Sequence, residues 1–136
     1  MRILVVDDEP MVLEVNAEIL NQLGHETIGA RDGLDGIIKF NANLGSIDMV
    51  LTDLKMPKVS GVTLAFRCKS IRKNIPVVIM SGFGMDDVHD DFKMCIELYI
   101  QKPVMLKDLL SVLETCNQNK QSSAEIKIDV QNNVCK

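Results

Sequence analysis

Asp48-Met-Val-Leu-Thr-Asp-Leu-Lys-Met-Pro-Lys-Val-Ser-Gly61 is the stretch on which the fold turns. Asp48–Thr52 is a short apolar run that reads as a buried strand, and it stops at Asp53. Pro57 and Gly61 make the following residues a turn, after which Leu64, Ala65 and Cys68 recur at helical spacing through about Ile71. The unit is strand, acid, turn, helix. Toward the N-terminus it repeats: Ile3–Val6 is a β-branched run closed by Asp7-Asp8-Glu9, and Val12, Val15, Ile19, Leu20 and Leu23 fall at helical spacing behind Pro10. Glu26–Ala30 is a weaker strand. Leu34, Ile37, Ile38 and Leu44 outline a second helix with two glycines in its early turns.

Toward the C-terminus, Pro76–Met80 is a fourth strand, Ser81-Gly82-Phe83-Gly84 a loop, and Val88, Phe92, Cys95 and Ile96 a fourth helix. Leu98–Gln101 is a fifth strand, and Leu106, Leu109, Leu110 and Leu113 mark the inner face of a last helix. Alternation at this spacing predicts an α/β, (βα)5 domain, a doubly wound parallel five-stranded sheet, over residues 1–117. Residues 118–136 form a polar, unpatterned tail that is expected to be solvated and flexible, although Ile126, Ile128 and Val130 alternate weakly.

Composition narrows the function. With 136 residues, 46% hydrophobic and 25% charged, the chain suits one soluble domain. The net charge of -4 gives no reason to expect nucleic acid or an anionic membrane as partner. No apolar run is long enough to cross a bilayer, and Met1-Arg2 passes straight into a strand without a signal-peptide pattern, which points to the cytoplasm. Cys68, Cys95, Cys116 and Cys135 lie far apart with no C-x-x-C pair, so the first three are read as small core hydrophobes.

In an open parallel sheet, ligands bind beyond the carboxyl ends of the strands. Four strands here end in chemistry: Asp7-Asp8, Asp53, Ser81 and Lys102. Three carboxylates brought together need a hard cation, and magnesium prefers oxygen donors. A carboxylate is also a competent nucleophile toward phosphorus, while a lysine ammonium and a serine hydroxyl can neutralise and hold a transferring phosphoryl group.

This set, with Lys102-Pro103 and the Asp53–Gly61 turn, resembles the receiver domain of two-component response regulators, of the stand-alone, chemotaxis-regulator-like kind. The resemblance implies the flavodoxin-like strand order 2-1-3-4-5. It implies that Asp53 is the phosphoacceptor, taking its group from a sensor histidine kinase or a histidine phosphotransfer protein. Asp8, Asp53 and the backbone carbonyl of Lys55 would bind Mg2+ (Mn2+ being able to substitute), with Asp7 contributing directly or through water. Ser81 and Lys102 would stabilise the phosphoryl group, Ser81 and Tyr99 would be the switch residues, and the Lys102–Pro103 bond would be cis. Phosphorylation would then reshape the α4-β5-α5 face for a downstream protein, with a monomer or a phosphorylation-dependent dimer as the working state. The chain would be a signalling switch and not an enzyme, beyond its own phosphotransfer and autodephosphorylation, with no output domain after residue 117. Lys55 and Phe83 occupy positions that tune phosphoryl loss in the family, and neither side chain suits the orientation of water. A long-lived phospho-form is therefore expected, and Gly82 leaves room for small phosphodonors.

Three other readings fit less well. An aspartyl phosphohydrolase would carry its nucleophile in Asp-x-Asp after the first strand, where Glu9 holds the third place here. A flavodoxin-like cofactor binder needs a Ser/Thr/Gly-rich phosphate loop where this chain has Asp7-Asp8-Glu9. A degenerate, non-phosphorylated receiver would lack one of the five expected site types, all of which are present.

Overall fold

Each run expected to be extended is a strand: β1 (Arg2–Val6), β2 (Glu26–Ala30), β3 (Met49–Asp53), β4 (Val77–Ser81) and β5 (Leu98–Gln101). These come from a computed structural model that describes residues 1–82 and 88–118. The strands form one parallel sheet in the order β2-β1-β3-β4-β5. β3 and β4 are buried along their whole length, which is why their sequences are near-continuous apolar runs without alternation. β2 lies at the sheet edge and is only partly covered, which accounts for its weaker pattern.

The helices are α1 (Pro10–Gln22), α2 (Gly33–Ala42), α3 (Gly61–Ile71), α4 (Asp90–Lys93) and α5 (106–118). Side-chain caps start α2, α3 and α4, the last through His89 Nδ1, which accepts the Asp91 N–H at 3.2 Å. Asp32 accepts the Asp35 N–H at 2.7 Å, and Ser60 accepts the Thr63 N–H at 3.2 Å. Leu4, Val6, Val50, Val77 and Ile79 pack into one cluster with Phe40 of α2 and Leu64, Ala65 and Cys68 of α3. Burial pushes the Cys68 thiol up to about 12, in keeping with a hydrophobe rather than a nucleophile. Among the described residues, no helix is long and apolar enough to cross a membrane.

Local periodicity fails in four places. On α1, Val15 is half exposed, while Asn16 is buried and donates its amide to Met80 Sδ at 3.5 Å. On α2, Leu44 lies beyond the helix end, and the early glycines mark close packing: a Cβ on Gly33 would stand 2.4 Å from the Val59 carbonyl. The fourth helix is a single turn, Asp90–Lys93, with Cys95 and Ile96 outside it. On α5 the buried stripe is Leu109, Val112, Leu113 and Cys116, while Leu106 and Leu110 are exposed; Asn117 and Gln118 are still helical. Helical spacing alone allows either of two adjacent stripes, and Val112 and Cys116 supply the apolar groups that decide between them. The expectations for Phe83, Met85, Asp86, Asp87, Cys135 and the tail after Gln118 lie outside the described residues.

Glu97 explains the early end of α4. Its carboxylate accepts the Val77 N–H at 2.6 Å and pairs with Lys69 of α3, while its own N–H bonds the Val77 carbonyl at 2.9 Å. These bonds draw the chain into β5 register directly after the turn. Glu97→Ala would leave a buried N–H without its partner, at a cost of about 1–3 kcal/mol. Urea denaturation should show that loss as a lower midpoint with an unchanged m-value, and a smaller loss for Glu97→Gln. Equal losses for both variants would show that the charge, not the hydrogen bond, matters.

Candidate functional site

Strand register sets which residues meet at the carboxyl edge. Val6 of β1 is level with Thr52 of β3, so Asp7 and Asp53 leave their strands side by side. Asp53 is level with Met80, which puts Ser81 one step further out; Ser81 is level with Gln101, so Lys102 comes next. Sequence reasoning brought these four strand ends to one edge, and the structure gathers them there.

Asp7 is fully buried. One of its oxygens accepts the Glu9 N–H at 2.9 Å and the other accepts from Lys102 Nζ at 3.1 Å. The same ammonium lies 3.3 Å from Asp53 Oδ1. Asp7, Asp8 and Asp53 each offer a carboxylate oxygen, and those oxygens lie within 4.8 Å of one another. Asp8 is exposed and Asp53 nearly buried, so the cluster opens to solvent on the Asp8 side. Three hard oxygen donors at this separation fit a divalent cation such as magnesium, and they offer nothing for a soft one.

The electrostatics follow from burial and crowding. Burial first, and then the negative charge of Asp7, push the Asp53 carboxyl above its ordinary value, against the opposing pull of Lys102 and the Leu54 N–H. For Lys102, burial works to lower the value. The hydrogen bond it donates to Asp7 and the charges of Asp7 and Asp53 outweigh it, so the lysine is held above its usual range. One ammonium thus serves two buried carboxylates, leaving the site with an excess of negative charge.

Ser81 is buried at the end of β4. Its carbonyl oxygen accepts both the Lys102 N–H at 2.9 Å and the Tyr99 hydroxyl at 3.1 Å. Tyr99 is half buried, with its ring against the core cluster. The Lys102–Pro103 peptide is cis. Lys55 is exposed in the turn after β3, two residues from Asp53.

Two supporting residues carried no assigned role in the sequence. Thr52 is buried and donates its hydroxyl to the Asp53 carbonyl at 3.0 Å. Gly61 opens α3 so close to β3 that a Cβ would stand 2.2 Å from the Asp53 carbonyl oxygen. The sequence shows Gly61 only as a turn residue, and its close approach to Asp53 appears only in the folded loop.

Comparison with known proteins agrees with this geometry. The model of the response regulator receiver domain matches residues 3–114, and the chain belongs to that family of two-component signalling switches. It is 36% identical over 111 residues to the chemotaxis protein CheY of Treponema pallidum, covering 80% of this chain and 77% of that protein. It resembles the crystal structure of a receiver domain protein from Clostridium thermocellum with a TM-score of 0.82 and 34% identity, over 88% of this chain and 96% of that one. It also resembles the response regulator TrrA of Thermotoga maritima, solved with Mg(2+)-BeF, with a TM-score of 0.76 and 28% identity, over 85% and 97% of the two chains. Other curated relatives are much longer, and the chain spans 11% of one and 14% of another.

Proposed function

We propose that residues 1–117 act as a phosphorylation switch in which Asp53 accepts a phosphoryl group from a histidine kinase or histidine phosphotransfer protein. The observation that carries this is the Lys102 ammonium held between Asp7 and Asp53 at 3.1 and 3.3 Å, beside three clustered carboxylates. An Asp53 carboxylate oxygen attacks phosphorus, the P–N bond of the donor phosphohistidine breaks, and its electron pair returns to the imidazole nitrogen. Lys102 neutralises charge on the equatorial oxygens as it swings from carboxylate to phosphoryl group, and the Ser81 hydroxyl donates to one of them. Asp7, Asp8, Asp53 and the Lys55 carbonyl would hold the Mg2+ (or Mn2+) that supplies further charge neutralisation.

Tyr99 and Ser81 are already joined through the Ser81 carbonyl, which supports their pairing as switch residues. Movement of Ser81 toward the phosphoryl group would alter that bond and with it the α4-β5-α5 surface read by a downstream protein. On this reading the chain is a switch rather than an enzyme, works as a monomer or a phosphorylation-dependent dimer in the cytoplasm, and keeps its phosphoryl group for minutes or longer.

Incubation with Mg2+ and a small acyl phosphate, followed by intact-mass measurement, tests the proposal. One phosphoryl group should be gained, and the gain should vanish without Mg2+ or in Asp53→Asn. No adduct under any condition would leave only an interaction module, and an adduct that survives Asp53→Asn would place the acceptor elsewhere.

A further inference from the structure

Beside the acid cluster, the first turns of α1 and the segment after β5 frame a cavity of about 260 Å3. Met11, Val12, Val15 and Asn16 form one wall, and Lys102, Pro103 and Val104 form the other. Both walls are continuous with the site, since Met11 stands three residues after Asp8 and Pro103 follows Lys102 directly. Lys102 belongs to both places: it lines the cavity, and its ammonium lies 3.1 Å from Asp7 and 3.3 Å from Asp53.

The polar members of the cavity are engaged elsewhere. The Asn16 amide donates to Met80 Sδ at 3.5 Å, and the Lys102 ammonium is shared by two carboxylates. What remains is apolar, and Met11 and Val15 are 79% and 52% exposed, so this surface stands uncovered next to the proposed acceptor. An apolar cavity of roughly 150 Å3 takes a benzene-sized molecule, so this volume has room for a hydrocarbon chain of about six carbons. We propose that the cavity is the subsite for the acyl chain of a small phosphodonor, making medium-chain acyl phosphates better donors than acetyl phosphate. The inference rests on Asp53 being the acceptor and names the donor class for that site. An Asp53 carboxylate oxygen attacks phosphorus, the bond from phosphorus to the acyl oxygen breaks, and its electron pair leaves on the released carboxylate, with no proton required. Lys102 meets the phosphoryl group while the chain lies along Met11, Val12, Val15 and Val104. The bond broken is the same for every chain length, so the gain comes from binding the chain.

Phosphorylation of the full chain by acetyl, butyryl and hexanoyl phosphate in Mg2+, followed by intact mass, is the test. The second-order rate constant should rise about fifteenfold from acetyl to hexanoyl, half the free energy of four fully buried methylenes. The double variant Met11→Gln, Val15→Gln alters two exposed positions outside the acid cluster. It should leave the acetyl phosphate rate unchanged and cut the hexanoyl gain below about threefold. In the 15N-labelled protein, hexylphosphonate should shift the amides of Met11–Asn16 and Val104, and methylphosphonate should not. Equal constants for the three donors overturn the subsite and leave Asp53 as acceptor. So do a gain that survives the double variant, or phosphonate shifts centred elsewhere. No adduct from any of the three donors refutes the acceptor and the subsite together.

Discussion

Replacing Gly61 with alanine is expected to lower the melting temperature by roughly 12 °C, at about 4 °C per kcal/mol for a domain of this size. The new Cβ would stand 2.2 Å from the Asp53 carbonyl oxygen and 3.1 Å from Leu54 Cα, and both obstacles are backbone. Neither can easily retreat. The Asp53 carbonyl already accepts the Thr52 hydroxyl, the Leu54 N–H donates to the Met80 carbonyl at 2.9 Å, and the Gly61 N–H donates to the Leu54 carbonyl at 2.8 Å. Overpacking of this kind costs about 3 kcal/mol, at the upper end of its usual range. The strain falls on Asp53, the proposed acceptor, so phosphorylation by acyl phosphate should slow as well. Gly45→Ala is the control, because nothing lies within 4 Å of its added methyl. It should be neutral or stabilising by about 0.4–1 kcal/mol through the unfolded chain. Equal melting temperatures for the two variants would show that the loop after β3 relaxes freely.

Most of the sheet was legible because buried parallel strands announce themselves as apolar runs, and β1, β3 and β4 are such runs. The site was legible for a related reason: a strand ending in Asp, Ser or Lys tells which side chain emerges at the carboxyl edge, and parallel register aligns those ends without further information. What remained hidden depended on partners distant in sequence. Asn16 looks like a solvent residue among apolar neighbours until Met80, 64 residues away, takes its amide. The apolar spacing of Val88, Phe92, Cys95 and Ile96 suggests a full helix, but Glu97 is claimed by Val77 and Lys69 and shortens it to one turn. Gly61 reads as a turn residue, and only the Asp53 carbonyl beside it makes the absence of a side chain a requirement. Helical and strand periods report burial on one element at a time, and these three features arise between elements.

Asp53→Asn is expected to make the metal-free protein more stable, although it removes the proposed acceptor. The Asp53 carboxyl is held above its ordinary value by burial and by Asp7, so the folded state binds its proton more tightly than the unfolded state does. The sign follows: ionised Asp53 opposes folding, the penalty is complete above the raised folded value, and it disappears as the pH falls below the ordinary one. Asparagine carries no charge and keeps nearly the same volume, and Lys102 retains its partner Asp7 at 3.1 Å, so no buried ammonium is orphaned. In EDTA at pH 7 the variant should melt above the wild type. The gain should shrink steadily as the pH is lowered through the carboxylate range. Mg2+ should act in the opposite sense on the difference, because three clustered carboxylates bind it better than two. At a hundred times its Kd it would stabilise the wild type by about 2.7 kcal/mol and should help the variant far less. An Asp53→Asn protein less stable than wild type in EDTA would mean that the Lys102–Asp53 pair outweighs the crowding of Asp53 against Asp7, and the acceptor would then be a structural ion pair first.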